Sequence, residues 1–198
     1  MPPGTHALIG WLVANATTLS RRDRTLITLA GVAPDVDGLG IIADIFTDDP
    51  SRPLRKWAEF HHVLGHNVFA AAGVALIVLA ISQRRARTTA LALVSFHLHL
   101  LCDVLGSGGP NGEGWDIAYF EPLSHAPVWS WAGQWRLDGW QNLLITAAAI
   151  GATLWLAAKR GFSPVSIFSE RWDERVAAVL RGWCSRPTAG ASAESASE

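Results

Sequence analysis

Charge is what this chain has least of. Asp, Glu, Lys and Arg make up 17% of its 198 residues, against about 25% in ordinary soluble domains. Hydrophobic residues make up 49%, and a composition so tilted leans toward the membrane. The formal net charge is -1 and the arginines fall in short, separated clusters, so there is no basic field for nucleic acid to read. Cys102 and Cys184 are the only cysteines. They share no C-x-x-C spacing, which argues against both a disulfide framework and a zinc finger. G-x-S-x-G, H-E-x-x-H and P-loop patterns are missing as well, so a serine hydrolase, a standard zincin protease and an NTPase all lack their signatures. No basic stretch precedes the first apolar segment, and the first helix is expected to stay in the mature protein rather than to leave as a signal peptide.

What the chain does have is histidine and aspartate in two apolar hairpins. The stretch from His61 to Asp103 opens on His61-His62-Val63-Leu64-Gly65-His66 and runs through an apolar segment from Asn67 to Ser82. It reverses at Gln83 to Arg87 and returns carrying His97, His99 and Asp103. With a turn near residue 85, His66 and Asp103 each lie roughly 28 Å from it at about 1.5 Å per residue, so the two clusters meet at one level. His99 and Asp103, four apart, share a helix face. An earlier hairpin repeats the pattern. His6 precedes a charged turn at Arg21-Arg22-Asp23-Arg24, and Asp35 and Asp37 follow it beyond a break at Pro34, each roughly 23 Å from the turn. The first helix is expected over Thr5 to Leu19, with Thr5 as a cap.

The remainder reads more simply. Leu39 to Phe46 is apolar, Thr47 to Lys56 is a surface loop, and Gly106 to Gly114 is too glycine-rich for a helix and suits a mobile loop over the site. Trp115, Trp129, Trp131, Trp135 and Trp140 resemble a membrane-interface belt, with a tryptophan-rich lid as the alternative. Gly139 to Ala158, ending at Lys159-Arg160, has the length of a transmembrane helix. After Ser163-Pro164, the residues Phe168, Trp172, Val176, Val179, Leu180 and Trp183 form one stripe, an amphipathic helix suited to a membrane surface or a partner. The fold expected is all-α, a membrane bundle of about five helices over residues 1–162 with an amphipathic interfacial helix over 163–184. Residues 185–198 are expected to be a disordered tail.

The ionisable residues His6, Asp35, Asp37, His61, His62, His66, His99 and Asp103 all fall at one end of that bundle. His97 points away from the His99 and Asp103 face, and His125 lies in a loop. Ionisable groups near a bilayer centre cost about 2.5 to 3.5 kcal/mol each unless they face a polar interior, and structural metal binding of about 10 kcal/mol or more can offset such burial. Mixed His and Asp ligation suits Zn²⁺, with Mn²⁺ or Fe²⁺ as alternatives. Bridging carboxylates suit one or two ions. Hydrolysis is the chemistry such a centre supports best.

In order and spacing, Thr5-His6, Ala33-Pro34-Asp35-Val36-Asp37, His61 through His66-Asn67, His99-x-x-x-Asp103 and Phe120-Glu121-Pro122-Leu123-Ser124 resemble a known family. It is the LexA-regulated, inner-membrane-associated metal-dependent hydrolases (YdjM-like), which are distantly similar to zinc-dependent phospholipase C. The resemblance covers residues 5 to about 125. It implies His6, Asp35, Asp37, His61, His66, His99 and Asp103 as metal ligands, a multi-pass protein of the inner membrane, and a phosphoester or phospholipid substrate. The family motif pairs His61 with His66, whereas helical periodicity pairs His62 with His66. An arginine usual in that motif is missing here, as is a further His-x-x-x-Glu pair. Two other classes remain as alternatives: a non-enzymatic metal-binding or transport protein, and a structural protein whose polar cluster fixes helix packing. A transporter needs a polar path along whole helices, while this chain concentrates its ligands at one end.

Overall fold

A computed structural model describes residues 1–47 and 64–184. The first helix, α1, spans Pro3–Ala14 and opens on Pro3, whose fixed φ suits a first helical position. Thr5 is not its cap. It lies inside the helix, and its Oγ1 shares a hydrogen bond with Thr146 Oγ1 at 2.7 Å. The helix also stops well short of Leu19, because Asn15 leaves helical geometry and its Nδ2 donates back to the Trp11 carbonyl at 2.8 Å.

Helix α2 spans Arg21–Ala30 and is capped by Ser20, whose hydroxyl accepts from the Asp23 backbone N–H at 3.2 Å. The arginines are therefore the first turn of α2 and not the reversal itself. Ser20-x-x-Asp23 is a capping pattern hidden by the density of charge around it. Pro34 then begins a 3-10 helix over Pro34–Leu39 that bends the chain by 63° relative to α2, and α3 follows over Gly40–Thr47.

Helix α4, Val68–Ile81, is capped by Asn67, whose Oδ1 accepts from the N–H groups of Phe69 and Ala70 at 3.0 and 2.9 Å. After a short turn comes α5, Arg85–Gly106. An all-α expectation leaves out one small feature. Two-residue strands β1, Ile117–Ala118, and β2, Val128–Trp129, pair antiparallel, with Ile117 opposite Trp129. Helix α6 covers Trp140–Arg160. Ser163 and Pro164 do cap a helix, but a 3-10 turn over Pro164–Ile167; the amphipathic helix α7 begins later, over Glu170–Cys184. The architecture is mainly helical, with seven α-helices among the described residues where the sequence suggests about five and a C-terminal one. Residues 185–198, with their expected tail, and the loop and histidine residues of 48–63 lie outside the described residues.

The chain divides into two compact units, residues 1–150 and 151–198. In the first, α1 packs on α2, α4 on α5, and both α1 and α2 on α5. Ala14, Leu19, Ile27, Ala30, Val78 and Ala92 form one buried cluster. Ala71, Phe96, Leu100, Val104 and Ile117 form another. Asp23 is fully buried and accepts from the backbone N–H groups of Gln83 and Arg84 at 2.8 and 3.1 Å. The α1–α2 hairpin and the α4–α5 turn are thereby joined at one end. Helices α5 and α6, at 22 and 21 residues, are long and apolar enough to cross a membrane, and α4 is a shorter apolar helix. The exposed face of α4 carries Leu76, Ile77 and Leu79, and α6 exposes Leu143, Leu144, Leu154 and Trp155, which is unfavourable in water and natural against lipid. In the second unit, Asp173 is not on the solvent side of the amphipathic helix. It is buried and accepts from the Ser163 hydroxyl at 2.7 Å, while Phe168, Trp172, Val179 and Trp183 are exposed.

Candidate metal centre

Four elements converge on one buried cluster. His6 comes from α1, Asp35 from the 3-10 turn, His66 from the residue before the α4 cap, and His99 and Asp103 from one face of α5. The approach is close because small residues line it. A Cβ on Gly31 would stand 2.5 Å from the Ser95 Oγ of α5 and 3.3 Å from the Gly10 Cα of α1, so a side chain there would press on both neighbouring helices. His6 then stacks on His99, with ring centroids 3.7 Å apart.

Hydrogen-bond partners fix which ring nitrogens face inward. His99 Nδ1 lies 2.8 Å from the Gly31 carbonyl, an acceptor only, so Nδ1 carries the proton and Nε2 presents its lone pair. His66 Nδ1 lies 3.0 Å from Asp37 Oδ2, an oxygen that also accepts from Gly65 N–H at 2.9 Å. His66 therefore also turns Nε2 inward. The two Nε2 atoms face each other at 3.3 Å. Asp103 Oδ2 stands 3.0 Å from His99 Nε2 and 3.4 Å from His66 Nε2, and Asp35 Oδ1 stands 3.6 Å from His99 Nε2. Two lone pairs at that distance repel unless a cation, a proton or a metal, stands among them. Burial alone lowers the pKa of His66, but Asp103 and Asp37 outweigh it and raise the pKa to about 9.

The same distances suit a metal. Bonds of about 2.0–2.1 Å from a tetrahedral ion to nitrogen or oxygen put neighbouring ligand atoms about 3.3 Å apart, close to the separations above. His6, Asp35, His99 and Asp103 can each offer one ligand atom, all within 4.8 Å of one another. His6 Nδ1 and Asp35 Oδ2 are buried without a hydrogen-bond partner, an arrangement that costs stability unless something else satisfies them. Asp103 presents two sides. Oδ2 meets His66 and His99, while Oδ1 meets His6 Nε2 at 3.2 Å, the Ser107 hydroxyl at 2.8 Å and the Met1 ammonium.

The described residues hold every candidate from the sequence except His61 and His62. His6, Asp35, His66, His99 and Asp103 come together. Asp37 touches the cluster through His66, and its Oδ2 holds the ring as an orienting carboxylate does in histidine metal sites. His61 lies outside the described residues, as does its alternative His62. His97 faces elsewhere, with Nδ1 donating to the Leu93 carbonyl at 2.8 Å and Nε2 accepting from the Tyr119 hydroxyl at 2.7 Å. His125 is exposed. Three contributors escape a reading of the sequence. Ser107, the C-cap of α5, holds Asp103; its spacing of four from Asp103 was the available signal. Gln134 Nε2 donates to the carbonyls of Asp103 and Val104 at 2.9 and 3.1 Å. Asn142 Nδ2 donates to the Gly106 carbonyl at 2.8 Å. The last two pin the loop after β2 and the start of α6 to the end of α5, and nothing in their local sequence announces it. A cavity of about 860 Å³ opens beside the cluster, with Asp35 and Asp103 in its wall.

No curated protein and no solved structure matches the chain. A family model does, described as the YdjM inner membrane protein and matching residues 1–180. That match runs through both hairpins and the whole of the convergent cluster, and the chain belongs to the YdjM inner membrane protein family.

Proposed function

We propose that this protein is a multi-pass membrane enzyme, a metal-dependent hydrolase that cleaves a phosphoester. The reading is carried by one observation: two inward-facing imidazole nitrogens 3.3 Å apart are flanked by the carboxylates of Asp35 and Asp103, which also line a cavity large enough for a substrate. Asp35, His99 and Asp103 would hold a divalent ion between His6 and His66, zinc first by its preference for histidine and carboxylate, with manganese or iron as alternatives. His6 and the second oxygen of Asp103 offer room for another. A bound ion supplies Lewis acidity, which makes water a nucleophile near neutral pH and draws charge from a phosphoryl oxygen. The protein's own groups do the rest. Asp37 and the Gly31 carbonyl keep His66 and His99 in the tautomer that binds, Ser107 steadies Asp103, and the unpartnered Oδ2 of Asp35 would take the proton from the attacking water and return it to the leaving alkoxide.

The test is hydrolysis of phosphodiester, phosphomonoester and phospholipid substrates by purified protein loaded with Zn²⁺ or Mn²⁺. Wild type should turn over at least one of them and lose activity on chelation, and Asp103→Asn should be inactive. Metal-loaded protein without activity on any of these would favour a metal-binding or transport protein instead.

A further inference from the structure

We infer that the cavity beside the cluster seats the hydrocarbon chain of an amphiphilic substrate, whose phosphoester head lies at Asp35 and Asp103; this rests on the hydrolase reading above. At about 860 Å³ the cavity is within the range of about 300–1,000 Å³ typical of ligand sites. Away from Asp35 and Asp103 its wall is mainly apolar, built from Pro3, Leu39, Pro110, Trp115 and Leu137 together with glycine backbone. Among the described residues, no lysine or arginine lines it. Among these residues a nucleotide or other polyphosphate would meet no side-chain cation to offset its charge, the Met1 ammonium being held by Asp103, and a sugar would find few polar partners. The third acidic side chain in the wall, Glu113, is already engaged by the Asn111 side-chain amide at 3.0 Å. An alkyl chain asks for none of these partners. Leu39 also leads directly into α3, whose Ile42, Ile45 and Phe46 are exposed, so the apolar wall is followed in the chain by residues suited to lipid. A membrane lipid is the source of such a chain that this arrangement fits.

The experiment uses full-length protein, zinc-loaded and in nonionic detergent, titrated with non-hydrolysable n-alkylphosphonates from two to ten carbons. Free concentrations are measured by equilibrium dialysis. The dissociation constant should fall with each methylene by up to about fourfold, the factor corresponding to about 0.8 kcal/mol per buried CH₂, and then level off as the cavity fills. Leu137→Trp, a change at a half-exposed side chain in the wall, should bring the plateau to a shorter chain while metal content and affinity for the two-carbon phosphonate stay unchanged. Affinity independent of chain length in the wild type would overturn the inference, whatever the variant does. Turnover of short and long alkyl phosphoesters at equal kcat/KM would also overturn it and leave the hydrolase standing. Chain-dependent binding without turnover of any phosphoester would keep the amphiphile site and remove the hydrolase.

Discussion

At the scale of single residues, the centre depends on protons as much as on ligands. His66 has its pKa raised above the ordinary 6.5, to about 9, so metal-free protein gains stability from the charged ring below pH 6.5 and loses that gain as pH rises through 9. Metal binding runs the other way, because the ion must displace that proton. Apparent zinc affinity should therefore climb by about tenfold per pH unit from pH 7 to pH 9, with a proton released to the buffer at pH 7.5. Calorimetry in buffers of different ionisation enthalpy would read both. Asp37→Asn can offer an N–H toward His66 Nδ1 and so drive the ring proton to Nε2. It should weaken metal affinity by about 10–100-fold with the fold intact. A pH-independent affinity would mean that His66 is not part of the site. Much of this chemistry was legible in the chain, since histidines and aspartates recurring in apolar segments have few other uses. The Gly31 carbonyl was not legible, because a backbone acceptor carries no residue-type signal, and neither was the Asn142 amide, whose partner lies 36 positions away.

At the scale of elements, the hairpins are set by their caps and by their close contacts. Asn67, the N-cap, starts α4 just after His66 and so fixes where that ring emerges. Gly65 lets the chain pass the Pro34 carbonyl, which a Cβ would strike. Asp23 joins the two turns by accepting from the start of α5. Asp23→Ala would leave two backbone donors without their acceptor, at a cost of about 2 kcal/mol, or a Tm lower by about 4–8 °C. Because Asp23 stands at the far end of α5 from Asp103, bound metal per protein should not change; a fall in metal content would mean that the two ends are coupled. Hydrophobic runs and the Pro34 break made the helices readable in outline. The charged segment at Arg21 misled because a capping pattern and a charged turn share residue types. Gly10 and Gly31 do their work through tertiary packing, which periodicity does not record.

At the scale of the whole molecule, the apolar surfaces of α4, α5 and α6 and the family assignment place the protein in the inner membrane. Arg21, Arg22 and Arg24 gather with Arg84, Arg85 and Arg87 at the end joined by Asp23. His99 and Asp103 lie 14 and 18 residues along α5 from Arg85, roughly 21 and 27 Å at helical rise. Since short loops rich in arginine stay in the cytoplasm, the centre is expected to face the opposite side. In a background lacking Cys102 and Cys184, Asn111→Cys, at an exposed position near the cavity, should react with an impermeant maleimide in intact cells while Gln83→Cys should not; the reverse pattern would put the chemistry in the cytoplasm. Beneath every part of this account is the claim that the buried histidine and aspartate cluster holds a metal ion, and elemental analysis of the purified protein tests it most directly. One to two equivalents of a divalent transition metal, Zn²⁺ or Mn²⁺, should accompany the wild type and be largely lost from His99→Ala/Asp103→Ala that still folds. Stoichiometric metal retained in that double variant, or none in wild-type protein purified without chelator and exposed to zinc, would contradict it.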